Sequence, residues 1–293
     1  MTPSEASDIM LRMITATTPP GVPVRHAGVT GNVRLIRDVP APSLGGTRDV
    51  VVYLPPGYEE SNNKERYPVL YVHDGQNIFD PSTAFLGREW HLDETAEQLI
   101  RDGKTMPFIM VGVYNNGEKR IDEYTPVPDA KYGGGHADAY GDFLINEVKP
   151  FVDQHYRTQP DAAHTGIMGS SLGGLVSLYL GFQHPEVFGL VGALSPSLWW
   201  AHQQLTQSLA GSHGAGPRAI WMDMGTAEDP QDDDHNGVPD MIDDARRMRD
   251  VLESRGFHEG QNLQYREVEG ATHDEPAWAA RADQVLTFLL PRT

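Results

Sequence analysis

The 293-residue chain contains no cysteine, which excludes disulfide frameworks, thiolate metal sites and a cysteine nucleophile. Basic residues are also scarce. Twenty-three Lys and Arg stand against 41 Asp and Glu, a net charge of −18 that repels phosphate backbones and anionic bilayers at long range. Neither nucleic acid nor a membrane surface is therefore an expected partner. No apolar run reaches the length of about 18 residues that a membrane span requires. The opening MTPSEASDIMLRMITATTPP lacks a basic start followed by a hydrophobic core. The expected compartment is the cytoplasm if the chain is whole and the exterior if a signal has been removed.

What is present is a 39% hydrophobic composition, enough for a substantial core. Residues 1–30 read as a leader: Ile9, Met10, Met13 and Ile14 have helical spacing, and the segment TTPPGVPVRHAGVTG then breaks any regular structure. Residues 31–293 read as a single domain. Apolar runs at 33–38, 48–54, 68–72, 108–113, 164–168, 189–194, 219–224 and 263–268 predict eight strands. The first two are joined by PAPSLGG and predict a hairpin. Helical patterns at 91–102, 137–156, 172–183, 240–255 and 276–290 separate most of the others. This alternation predicts an α/β fold with a mostly parallel sheet flanked by helices on both faces.

Residues 165–176, TGIMGSSLGGLV, carry the strongest chemical signal. A serine exposed on a tight strand-to-helix turn needs glycine two residues before and two after, because side chains there would block the close packing. Gly169 and Gly173 frame Ser171 in this way, whereas Ser170 has Met168 and Leu172 at the same offsets. A serine nucleophile further needs a histidine to take its proton and a carboxylate to orient that histidine. In sheets of this type the partners lie in loops after the carboxyl ends of strands. TAEDP follows one predicted strand and offers Glu228 ahead of Asp229, with Asp223 inside the strand as a third choice; ATHDEP follows the last and offers His273. Backbone N–H groups of Leu172 and Gln76 are the expected oxyanion donors. His73 and Asp74 are expected to shape the Gln76 loop. Arg120, Tyr124, Trp199 and Trp200 fall on the same side of the sheet and are candidate substrate contacts.

With these residues in hand, VYLPPGY, YPVLYVHDGQN, RIDEYTP, FVDQHYRT, GSSLGGLVSLYLGFQHPEVFG, ALSPSLWW and GTAED together resemble an esterase family of α/β-hydrolases. That family includes feruloyl and acetylxylan esterases, enterochelin-type siderophore esterases, S-formylglutathione hydrolases and mycolyltransferases. The resemblance runs from about residue 33 to the end. It implies the α/β-hydrolase fold and a serine esterase with Ser171, Glu228 and His273 as its triad, acting without an organic cofactor. Enterochelin esterases usually carry an amino-terminal β-sandwich that the short leader cannot supply, so carbohydrate esterases fit better.

Residues 232–243, DDDHNGVPDMID, place oxygen-bearing side chains at loop positions 1, 3, 5, 9 and 12 and glycine at 6, the spacing of an EF-hand-like calcium loop. Asp232, Asp234, Asn236, Asp240 and Asp243 would offer side-chain oxygens and Val238 its carbonyl, with Gly237 at the turn. Asp at position 12 and Pro239 at position 8 depart from that pattern and resemble dockerin or thrombospondin loops more closely. Structural Ca²⁺ is the expectation. Three functions compete at this point: hydrolysis of short-chain acyl or aryl esters (feruloyl or acetyl-sugar type, with siderophore esters as an alternative), acyl transfer by the same triad, and a calcium-dependent binding module on an inactive hydrolase scaffold.

Overall fold

The computed structural model describes residues 19–292. The helical pattern expected at Ile9–Ile14 lies outside them. The main sheet comprises β1 (Val22–Pro23), β2 (Asn32–Pro40), β3 (Thr47–Leu54), β4 (Val69–His73), β5 (Ile109–Val113), β8 (Thr165–Ser170), β9 (Leu190–Leu194), β10 (Ala219–Gly225) and β11 (Leu263–Val268). A separate two-stranded ribbon is formed by β6 (Pro128–Asp129) and β7 (Gly133–Gly134). Strand order in the main sheet is β1-β2-β3-β5-β4-β8-β9-β10-β11. All eight expected strands are present, and β2 and β3 pair as the expected antiparallel hairpin. The ninth, β1, is two residues long and pairs with β2 from within the segment read as a leader. Proline and glycine around it masked any strand pattern.

From β5 to β11 the neighbours run parallel. Their sequences follow from that position. Every residue of β4, β5, β8 and β9 is buried, as expected of parallel strands covered on both faces, so they read as continuous apolar runs. Helices α1 (Leu92–Arg101), α8 (Glu275–Ala279) and α9 (Ala282–Leu289) cover one face. The other is covered by α3 (Ala137–Phe143), α4 (Lys149–His155), α5 (Leu172–Gln183), α6 (Trp200–Ala210) and α7 (Asp240–Ser254). The short α2 (Arg120–Tyr124) leads into the ribbon. Among the described residues no helix is long and apolar enough to cross a membrane.

Three differences from the sequence-based expectation have local causes. The expected helix at 137–156 is continuous but widens to a π-helical turn over Leu144–Val148, just ahead of Pro150, which has no N–H to continue the ladder. The expected helix at 276–290 is two helices. The break falls at Ala280–Arg281, where the Arg281 side chain turns inward to the buried carboxylate of Asp223. Helices α2 and α6 were not anticipated, the first because five residues are too few to show a period.

Candidate active site

The sharp turn after β8 is built from backbone constraints. Ser171 has φ 56° and ψ −123°, outside the regions that L-residues prefer, and it joins the strand to α5 with no residue between. Its N–H donates to the Leu194 carbonyl at 3.0 Å, and its own carbonyl accepts from Leu175 and Ser197 N–H. A Cβ at Gly169 would lie 2.9 Å from both the Gly173 carbonyl carbon and His73 Cδ2, so only glycine fits there.

The two other chemically interesting residues arrive from the loops after β10 and β11. Ser171 Oγ is 2.9 Å from His273 Nε2, and His273 Nδ1 is 2.7 Å from Glu228 Oε2. His273 immediately precedes Asp274, whose carboxylate caps α8 by accepting the Ala277 N–H, and Pro276 follows in the first turn. The imidazole also packs edge-on against Trp278, 5.1 Å between centroids. An imidazole held by a carboxylate at Nδ1 and facing a hydroxyl at Nε2 is arranged to take up that hydroxyl's proton.

Glu228 is anchored from beneath. Its side chain is wholly buried, and Oε1 accepts from Gly225 N–H at 2.7 Å and from the Ser195 hydroxyl. Ser195 Oγ in turn accepts from Trp278 Nε1 (3.0 Å) and Arg281 Nη2 (2.6 Å). Two N–H donors therefore fix the direction of its single O–H, which must point to Glu228. Arg281 also donates twice to Asp223 Oδ1, at 2.8 and 3.0 Å. Asp223 is thus the partner of a buried arginine, and burial pushes its carboxyl up against the pull of Arg281. Asp229 is exposed and accepts from Gln231 N–H. Of the three acids considered from sequence, only Glu228 meets His273. Ser195, Trp278 and Arg281 were not anticipated, and Ser197, whose Oγ is 3.2 Å from Ser171 Oγ, was also missed.

Neither the Leu172 N–H nor the Gln76 N–H is taken by a backbone or side-chain acceptor among the described residues. The Gln76 loop is held by a charged knot. Arg120 grips Asp74 in a bidentate pair at 2.8 and 2.8 Å, and Asn115 Nδ2 adds a third bond at 2.7 Å. Burial raises the Asp74 carboxyl, but Arg120 and Asn115 outweigh it and hold the group below the usual carboxylate range. A Cβ at Gly75 would collide with the Gly112 backbone at 2.4 Å. His73 is buried with Nδ1 on the Tyr140 hydroxyl at 2.8 Å and Nε2 without a partner. Burial pulls its pKa down to about 3, the neighbouring Asp74 raising it only in part and Arg120 lowering it further.

Ser171 and His273 open into a cleft of about 500 Å³ lined by Asn77, Phe85, Trp90, Asn115, Arg120 and Trp278, among others. Arg120 is the one expected pocket residue on this wall. Tyr124 is fully buried and its hydroxyl accepts the Asp74 N–H. Trp200 is buried with its indole on the Val127 carbonyl, and Trp199 is exposed against Tyr132. Phe85 and Trp90, from the irregular stretch before α1, carried no periodic signal by which sequence reasoning would find them.

In the acidic loop, Asn236 gathers three of the expected oxygen donors. Its N–H donates to Asp232 and Asp234, both at 3.1 Å, and its Nδ2 donates to Asp243 at 2.7 Å. Asp240 instead accepts from the Asp233 N–H. Asn236 thus turns its N–H and Nδ2 groups to these carboxylates, while its Oδ1 accepts the Val238 N–H.

The family model described as "Putative esterase" matches residues 41–289. An uncharacterized protein of Bacillus subtilis, YbbA, is 26% identical over 74% of this chain and 82% of its own length. An endo-1,4-beta-xylanase/feruloyl esterase of Xylanibacter ruminicola is 32% identical over 52% of this chain and 20% of its own length. The crystal structure of the BES protein from Bacillus cereus has a TM-score of 0.66 at 19% identity, covering 94% of this chain and 99% of that one. The fold is the α/β-hydrolase fold, and the chain belongs to this esterase family as a carboxylic ester hydrolase.

Proposed function

We propose that the protein hydrolyses esters through a covalent acyl-enzyme, with Ser171 as nucleophile, His273 as general base and then acid, and Glu228 as the group that orients and stabilises the imidazolium. The observation that carries this reading is the unbroken chain of contacts from Ser171 Oγ through His273 to Glu228. Attack by Ser171 Oγ on the ester carbonyl passes its proton to His273 Nε2, and the Leu172 and Gln76 N–H groups receive the negative oxygen. His273 then protonates the departing alcohol, and water repeats the sequence to release the acid.

The substrate class we propose is an aryl or short-chain acyl ester of the feruloyl or acetyl-sugar type. In support, Trp90 and Trp278, packed with centroids 5.8 Å apart and only 4% and 6% exposed, form part of the cleft wall near the serine. The positive charge of Arg120 is spent on Asp74, while Glu275 adds negative charge to the cleft, so a neutral acyl group suits it better than an anionic one. The test is hydrolysis of p-nitrophenyl acetate and butyrate, methyl ferulate and an acetylated xylose by wild type and Ser171→Ala. Loss of the nucleophile is expected to remove on the order of 10⁶ in turnover. Absence of turnover in wild type, with calcium present, would favour the binding-module alternative.

We further propose that residues 232–243 take a structural calcium ion, held by Asp232, Asp234, Asn236 and Asp243, that braces the loop beyond Glu228. In support, the Asp232, Asp234 and Asp243 carboxylates gather about the Asn236 N–H groups, and among the described residues no lysine or arginine forms an ion pair with them. The melting temperature is expected to rise with added calcium and fall with chelator; no change in either direction refutes it.

A further inference from the structure

We propose that Glu89, His91 and Glu94 form a second, separate site for a first-row divalent cation of the zinc or manganese type, on the reverse side of the segment that carries Trp90 into the cleft. One ligand atom from each of the three residues lies within 4.8 Å of the other two. His91 Nδ1 is 2.8 Å from Glu89 Oε1 and 3.7 Å from Glu94 Oε2.

The carboxylates here are used in a pattern that leaves one oxygen of each free. Glu89 Oε2 accepts the His91 N–H at 2.6 Å, and Glu94 Oε1 accepts the Thr30 hydroxyl at 3.2 Å. The adjacent Asp93 accepts the Thr30 N–H through Oδ2 at 2.6 Å. The second oxygens, Glu89 Oε1, Glu94 Oε2 and Asp93 Oδ1, are buried and have no N–H or hydroxyl donor, the Asp93 and Glu94 carboxyls lying close enough to share a proton when no cation is bound. His91 Nδ1 stands close to Glu89 Oε1, but not in hydrogen-bond alignment. Ligands held by one atom from the surrounding protein and directed inward by the other are the arrangement found around bound metals.

Charge compensation elsewhere in the molecule sharpens the contrast. Of the five other carboxylates in the buried set, four have an arginine, Glu123 with Arg48, Asp74 with Arg120, Asp223 with Arg281 and Asp244 with Arg247, and the fifth, Asp80, has His26 and the Ser82 N–H. Glu89 and Asp93 are as deeply buried, at 4% and 0% exposure, yet among the described residues no lysine or arginine forms an ion pair with them. Buried carboxylates without a counter-charge are costly, and a divalent cation supplies one. The imidazole in the donor set favours zinc, and the two carboxylates beside it leave room for manganese, over calcium or magnesium, which take oxygen alone. The His91 side chain is 62% exposed and leaves a route from solvent.

The test uses the untagged full-length protein after dialysis against chelator. Titration with Co²⁺, followed by visible absorption, and with Zn²⁺ and Mn²⁺ by calorimetry, is expected to show one ion per chain at micromolar or tighter affinity. His91→Ala and Glu94→Gln each should weaken it at least tenfold, with the cobalt band lost in His91→Ala. The His91 side chain is 62% and that of Glu94 38% exposed, so the variants should fold, and far-UV circular dichroism checks this. Asp234→Asn, in the acidic loop, should leave the cobalt site unchanged. Failure to bind, a cobalt band that survives in His91→Ala, or loss of binding only in Asp234→Asn would each overturn the proposal.

Discussion

Glu228→Gln is the substitution whose outcome the structure determines most fully. The amide is isosteric with the carboxylate, so packing is kept and only charge and hydrogen-bond polarity change. Oε1 faces two donors, the Gly225 N–H and the Ser195 hydroxyl, and the hydroxyl cannot reverse because Ser195 already accepts from Trp278 and Arg281. The amide oxygen must therefore occupy the Oε1 position, which turns the NH₂ group toward His273 Nδ1. His273 then accepts at Nδ1 and carries its proton on Nε2, facing Ser171, where it cannot act as base. Turnover should fall about 10³- to 10⁴-fold, or about 4 to 5.5 kcal/mol at 1.36 kcal/mol per factor of ten. KM should stay near wild type, because the Glu228 side chain does not line the cleft. The assay is steady-state hydrolysis of a p-nitrophenyl ester, with Asp229→Asn as a control that keeps wild-type rates. A Glu228→Gln enzyme retaining turnover within tenfold of wild type would refute the forced amide orientation and the role assigned to Glu228.

Other predictions address the supports of the site. Gly169→Ala places a methyl group 2.9 Å from the Gly173 backbone and His73, and should destabilise the fold by about 1–3 kcal/mol in urea unfolding while lowering turnover. Arg120→Ala leaves Asp74 with Asn115 as its only side-chain partner among the described residues; the loss should be about 2 kcal/mol, below the 3–5 of a fully buried pair because Arg120 is 27% exposed. His73 has its folded pKa at about 3 against about 6.5 when unfolded, so between these values the unfolded chain binds the extra proton. Its contribution is present in full above about 6.5 and is lost as pH falls, by up to about 1.4 kcal/mol per unit. Urea unfolding of His73→Gln at pH 7, 6 and 5 should show a slope against pH shallower by that amount; parallel slopes would mean that His73 titrates normally.

Much of the fold was legible because parallel strands buried on both faces are apolar throughout, and each is followed by a helix with its own period. Ser171 was legible for a steric reason: Gly169 and Gly173 meet across the turn, so the motif records a contact made within five residues. Glu228 and His273 were reachable through topology, each lying just past a strand end. The supporting residues were not. Ser195 lies 33 residues from Glu228 and 86 from Arg281, and no spacing rule links serine, tryptophan and arginine at such distances. The pairing of Arg120 with Asp74 spans 46 residues, and the nearer acids of RIDEY, Asp122 and Glu123, hide it from any reading of local spacing. The residues around Glu89 escaped notice because a lone histidine among acids resembles any solvated helix start.

The order of the site along the chain has a practical consequence. The three residues assigned to bond-making come from loops after β8, β10 and β11, whereas much of the cleft wall comes from residues 76–120, around α1 and β5. Reaction and selectivity are thus carried largely on different stretches of sequence, with Gln76, Trp278 and Glu275 as the points of overlap. Exchanging only residues 83–90, which bring Thr83, Phe85 and Trp90 to the wall, is therefore expected to alter substrate preference while leaving Gln76, Arg120 and the three reacting side chains in place, which suits this chain to loop grafting.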